Sequence, residues 1–110
     1  MGSAVRIRYP APITYEVSIM AKIIAAAIKF YPKDSKYPQI VCGHRHCDCL
    51  EWMFHHKVEY DKQTQIQGFL TEDNQFIDRY EAMDIALEEE QLLDPNDYKA
   101  GKPLFSEDVW

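Results

Sequence analysis

The sequence predicts an α+β domain: a small antiparallel β-sheet with two helices packed on one face, in an oligomeric protein. Three observations point there. The stretches "MAKIIAAAIKFY" and "QIVCG" flank a proline-bearing turn, the pattern of a hairpin. A second pair, "QGFLT" and "QFI", flanks the turn residues "EDN". Each pair is followed by a D-x-x-E helix start, Asp48 to Glu51 and Asp78 to Glu81.

In chain order, "YPAPITYE" carries Pro10 and Pro12, so residues 1–21 are expected to form an extended arm before a single domain over residues 22–110. Met20 to Tyr31 is rich in alanine, which favours helix. Pro32 follows at once and a β-branched run comes soon after, which favours strand. Read as a strand, it places Ile24, Ala26, Ile28 and Phe30 on one face, paired with Gln39 to Gly43. Small alanines on its other face leave room for a further layer. Asp48 has the features of an N-cap, and Leu50, Met53 and Phe54 give a helical apolar stripe up to about His56. Ile66 to Asp78 reads as the second hairpin. A second helix is expected from Arg79 to about Leu92, with Ala82, Ile85, Ala86 and Leu93 facing inward. Glu88, Glu89 and Glu90 oppose its dipole. The final "LFSEDVW" is apolar enough to dock rather than dangle.

At 110 residues the chain suits one domain, and a core of that size often gains stability by self-association. Residues 1–55 carry a net +3 and residues 56–110 a net −9, together −6. An acidic protein is a poor general binder of nucleic-acid polymers, so neither DNA nor RNA is an expected partner. A small anion in a local basic pocket and head-to-tail pairing of unlike halves both remain open. No run approaches the roughly 18 apolar residues of a membrane span. The chain opens without a basic-then-apolar leader, and its three cysteines are clustered. Reduced thiols in the cytoplasm are therefore expected.

The chemistry concentrates in "CGHRHCDCL", Cys42 to Leu50. Its donors suit zinc by type, but no second ligand pair follows beyond the adjacent His55 and His56, so no metal is expected. Cys47 beside Arg45 and His46 suits a thiolate nucleophile, though no acid–base partner can be named. The third reading is anion capture by Gly43, Arg45, a histidine and the free N–H groups of a helix start. Its plainer alternative is a solvated turn with Arg45 paired to a carboxylate. Arg79 repeats the arginine-at-helix-start arrangement, and Asn74 and Gln75 suit a base edge or a ribose. Phe69, after Gly68, suits base stacking; its plainer alternative is ordinary core. Two such helix starts and an aromatic suit a nucleotide with a pyrophosphate or cyclic phosphodiester.

An "AAIKF" strand, the turn Gly43 to Asp48, "QGFLT", "FIDRYEAMDIA" and a terminal "LFSED" together resemble phage-encoded Thoeris anti-defence proteins of the first type. The likeness spans residues 22–110, with the motifs in the same order. It implies a non-catalytic sponge without cofactor that binds cyclic ADP-ribose isomers uncleaved. It also implies a capacity for cyclic oligonucleotides such as those of CBASS, a dimer or hexamer, and a host bacterial cytoplasm during infection. Carried over, Arg45 contacts phosphate, Phe69 stacks on a base, and Asp78 and Arg79 sit at the rim, with His46, Leu70 and Thr71 completing the expected ligand-binding set. The cysteines of "HRHCDC" and the "LEEEQLL" of the second helix depart from the family pattern. The alternative from another class is a metal-dependent phosphodiesterase using the His/Cys/Asp turn.

Overall fold

The computed structural model describes residues 6–8 and 21–110. Among the described residues there are five strands: β1 (Arg6–Arg8), β2 (Ile23–Phe30), β3 (Gln39–Gly43), β4 (Ile66–Thr71) and β5 (Phe76–Asp78). They form one antiparallel sheet in the order β1-β3-β2-β4-β5. The helices are α1 (His46–His55) and α2 (Arg79–Glu88). Of the expected N-terminal arm, residues 6–8 add an edge strand beside β3, and residues 1–5 and 9–20 lie outside the described residues.

The alanine-rich segment is a strand because it runs through the middle of the sheet. Ala26 and Ala27 point to opposite faces and both are fully buried. Small side chains let layers approach closely at this point, and packing overrides their helical preference. A register shift against β4 between Ile23 and Ala25 turns Ile23 inward and leaves Ile24 half exposed. The core face of β2 is therefore Ile23, Ala26, Ile28 and Phe30, not the strict alternation from Ile24.

Both helices pack on that face, as expected. From α1, Cys49 and Met53 close over Ile28, Phe30 and Val41. From α2, Ala82, Met83 and Ala86 close over Ile23, Ala26, Phe69 and Ile77, joined by Leu104 and Val109 of the docked C-terminal segment. Leu50 and Phe54 are exposed, so the inward stripe of α1 runs through Cys49 and Met53 instead. The opposite face buries Ala27, Ile40, Cys42 and Leu70, a cluster without a helix residue.

The helix boundaries differ from the sequence expectation for local reasons. Arg45, in an extended conformation, is the N-cap of α1. Asp48 lies one turn inside, and its carboxylate accepts the Arg45 backbone N–H at 3.1 Å. At the second helix Asp78 is the cap, accepting the N–H groups of Tyr80 and Glu81 at 2.9 and 2.8 Å. That helix stops at Glu88, and Glu90 adopts a positive φ of 56°. Consecutive glutamates are poor company for a helix C-terminus. Gln91 then brackets Ile23, accepting its N–H at 2.9 Å and donating to its carbonyl at 2.8 Å. This pins the shifted end of β2. Leu93, expected to face inward, is exposed, and Leu92 beside it is buried.

Gly68 shows how closely β4 and β5 approach. A Cβ there would lie 2.1 Å from the carbonyl oxygen of Ile77 and 2.7 Å from the Phe76 ring. Gly68→Ala is expected to cost about 1–3 kcal/mol, since backbone must move to relieve the contact. A denaturant titration of the variant measures it, and an unchanged midpoint would contradict the packing.

Candidate functional site

The loop leaving β3 places His44 and Arg45 at the mouth of α1, where the C-terminal segment reaches them. Arg45 Nη2 donates to the Trp110 backbone carbonyl at 2.5 Å. Its Nη1 lies 3.4 Å from the Glu107 carboxylate. The Trp110 indole N–H donates to the His44 carbonyl. The paired-carboxylate alternative for Arg45 is thus what this structure holds.

His46 is buried, 2.6 Å through Nε2 from the Gly68 carbonyl. A carbonyl only accepts, so Nε2 carries the proton. Burial pulls its pKa below the ordinary 6.5, Arg79 adds to this, and the bond to Gly68 and the charge of Glu107 oppose it. The folded state therefore resists protonation that the unfolded chain accepts. Stability from this group is present above pH 6.5 and is lost as pH falls below it. Melting temperature is expected to fall between about pH 7 and about pH 5, with a smaller fall in His46→Gln. Equal pH slopes for wild type and variant would contradict this role.

Phe69 is fully buried. The His46 ring meets it nearly at right angles at a centroid distance of 5.0 Å, and the Trp110 ring does so at 6.3 Å. Ala26 and Ile77 pair with it on the neighbouring strands. Its ring is core in this structure, and the expected exposed stacking face is covered. Leu70, one residue on, points to the opposite face with Ala27, Ile40 and Cys42, away from Phe69. Thr71 closes the hairpin, its hydroxyl donating to Asp73 and accepting the Gln75 N–H at 3.2 Å. The Asp78 carboxylate serves as helix cap.

Arg79 does approach the same place. Its Nη2 donates to Gln67 Oε1 at 2.5 Å, and its guanidinium lies 4.8 Å from the centroid of the Phe105 ring. Its Nε is buried and has no hydrogen-bond partner among the described residues. Burial draws its pKa below the ordinary value, offset by the nearby charge of Glu107. Arg45, His46 and Arg79 thus all lie in the field of one carboxylate, Glu107. Of the expected set, the structure brings these three together with Phe69 behind them. Leu70, Thr71 and Asp78 have structural roles here.

Glu107, Phe105 and Trp110 were not singled out from the sequence. Their signal was the apolar C-terminal segment, whose docking was foreseen without its destination. Among the described residues no group of three or more His, Cys, Asp or Glu is placed to hold a metal ion. The donors of the cysteine-rich turn diverge: Cys42 enters the second-face cluster, Cys49 lies under α1, and Cys47 is exposed. Burial pushes the Cys49 thiol up to about 12, which keeps it un-ionised. A groove of about 620 Å³ lined by Leu50, Phe54, Lys57 and Tyr60 lies apart from the arginines and shares no lining residue with them. No described helix is long and apolar enough to cross a membrane.

A family model described as Phage T4 y16D protein matches residues 22–110. No curated protein and no solved structure matches the chain.

Proposed function

The chain belongs to the phage T4 y16D protein family, and from that premise we propose that it is an anti-defence sponge, a protein that sequesters cyclic nucleotide immune signals uncleaved. The ligand class in this reading is a cyclic ADP-ribose isomer of the Thoeris type, with cyclic oligonucleotides of CBASS as a further class. It acts as a homo-oligomer, a dimer or hexamer, in the host cytoplasm during infection. The observation that carries the reading is Arg45 paired with the exposed carboxylate of Glu107, with Arg79 lying on the neighbouring Phe105 ring. Two neighbouring guanidinium groups, one of them already holding a carboxylate, suit a pyrophosphate, whose oxygens accept bidentate N–H donors.

Base stacking passes in this reading from Phe69 to the more accessible rings. Phe105 is 44% exposed and already carries the Arg79 guanidinium on its face. Trp110 is partly exposed next to Arg45. Sequestration rather than cleavage is favoured because neither arginine, nor the buried neutral histidine, is a nucleophile or a general base held over an open pocket. A metal-dependent phosphodiesterase needs convergent donors, and those of the cysteine-rich turn point apart. Calorimetric titration with cyclic ADP-ribose isomers tests the proposal. Saturable binding to the wild type, lost in the double variant Arg45→Ala/Arg79→Ala, is expected. Absence of heat with every isomer and with cyclic dinucleotides would overturn it.

A further inference from the structure

Glu107 stands where the ligand's negative charge would stand. Its backbone is fixed: it lies in a short 3-10 turn, Ser106–Asp108, held by the buried Leu104, Ser106 and Val109. The Leu104 N–H donates to the Arg79 carbonyl at 2.9 Å, and Leu93 N–H donates to the Asp108 carbonyl at 2.9 Å. The Phe105 N–H donates to the Asp108 carboxylate at 2.9 Å. The side chain is not fixed in the same way. It is 68% exposed, 3.4 Å from Arg45 and 3.3 Å from the Ser106 hydroxyl that donates to it. A carboxylate on a rigid turn with an exposed side chain can swing into solvent without disturbing the core. An ion pair this exposed is weak, so displacing it costs little.

We propose that Glu107 is a built-in counter-anion that pairs with Arg45, beside the Arg79–Phe105 contact, in the free protein and sets which anions enter. This rests on the reading that the two arginines bind an anionic ligand. A monoanion gains little over the resident carboxylate. A pyrophosphate brings more charge and more acceptor oxygens, engages both guanidinium groups, and displaces Glu107 toward solvent. The carboxylate is therefore a selectivity filter, enforcing multivalent binding at some cost in affinity.

The test is calorimetric titration of the full chain with inorganic phosphate, inorganic pyrophosphate and cyclic ADP-ribose, for wild type, Glu107→Gln and Glu107→Gln/Arg45→Ala. Glutamine keeps the size and the acceptor for Ser106 but removes the charge. Glu107→Gln is expected to bind pyrophosphate roughly five- to tenfold more tightly, since a like charge facing the ligand is gone. Its gain for phosphate should be larger than for pyrophosphate, narrowing selectivity, and the Arg45→Ala background should erase both gains. Its melting temperature should match the wild type. Equal affinities of wild type and Glu107→Gln, with cyclic ADP-ribose still bound, would overturn the filter and leave the sponge reading standing. Absence of binding by both proteins to all three anions would overturn the two together. An equal gain in the Arg45→Ala background would also overturn it, because the carboxylate would then act elsewhere.

Discussion

Phe69→Ala is expected to lower unfolding free energy by about 3–5 kcal/mol. The ring is fully buried between Ala26 and Ile77 of the flanking strands, under His46 and Trp110. Its removal leaves a cavity at the seam where α2, the sheet and the C-terminal segment meet. Each kcal/mol shifts the midpoint by roughly 4–8 °C in a domain near 100 residues, so a thermal melt should move by well over 10 °C. Ligand binding should fall with the fold rather than separately. A normal melt combined with lost affinity would instead return Phe69 to the pocket wall as a stacking surface.

Arg45→Ala is expected to behave in the opposite way. The side chain is partly exposed and its ion pair with Glu107 is exposed too, so little stability is at stake. Loss of the bond to Trp110 loosens the last residue without opening the core. For the proposed ligand, however, a charge-assisted contact of about 1.5–3 kcal/mol disappears, and affinity should fall roughly ten- to more than a hundredfold. The dependence of affinity on salt should shrink with it, because one charge no longer takes part. Titrations at two ionic strengths, beside a melt, measure both. A variant with full affinity and an unchanged salt slope would remove Arg45 from the site.

Much of the fold was legible because it is local. The hairpin Ile66 to Asp78 and the cap at Asp78 follow from turn residues and a side chain reaching its own backbone. The ends of β3 fell where Gln39 and Gly43 suggested. The start of α1 did not, because a D-x-x-E sequence does not say whether its aspartate is the cap or lies one turn inside. That was decided by Arg45 taking the cap and by His46 reaching Gly68 on β4. Likewise Ile24 was expected inside, and a register shift that no periodicity announces exchanged it with Ile23.

The site was legible in its charges and not in its partners. Arg45 and Arg79 stood out as arginines at helix starts, and the structure brings both into the field of Glu107. Phe69 and Leu70 are adjacent in a strand and so could not line the same face, a constraint already present in the pattern. Which of them is core, and that Trp110 closes over it, depends on where a distant C-terminal segment docks. Glu107 carried no local signal for the same reason.

The most direct measurement is of what the protein lets go. The chain is saturated with a cyclic ADP-ribose isomer, washed free of excess, and denatured by heat, and the supernatant is analysed by mass spectrometry. Release of the intact cyclic molecule is the result this account predicts, and release of a linear or hydrolysed product, or of nothing at all, would contradict it.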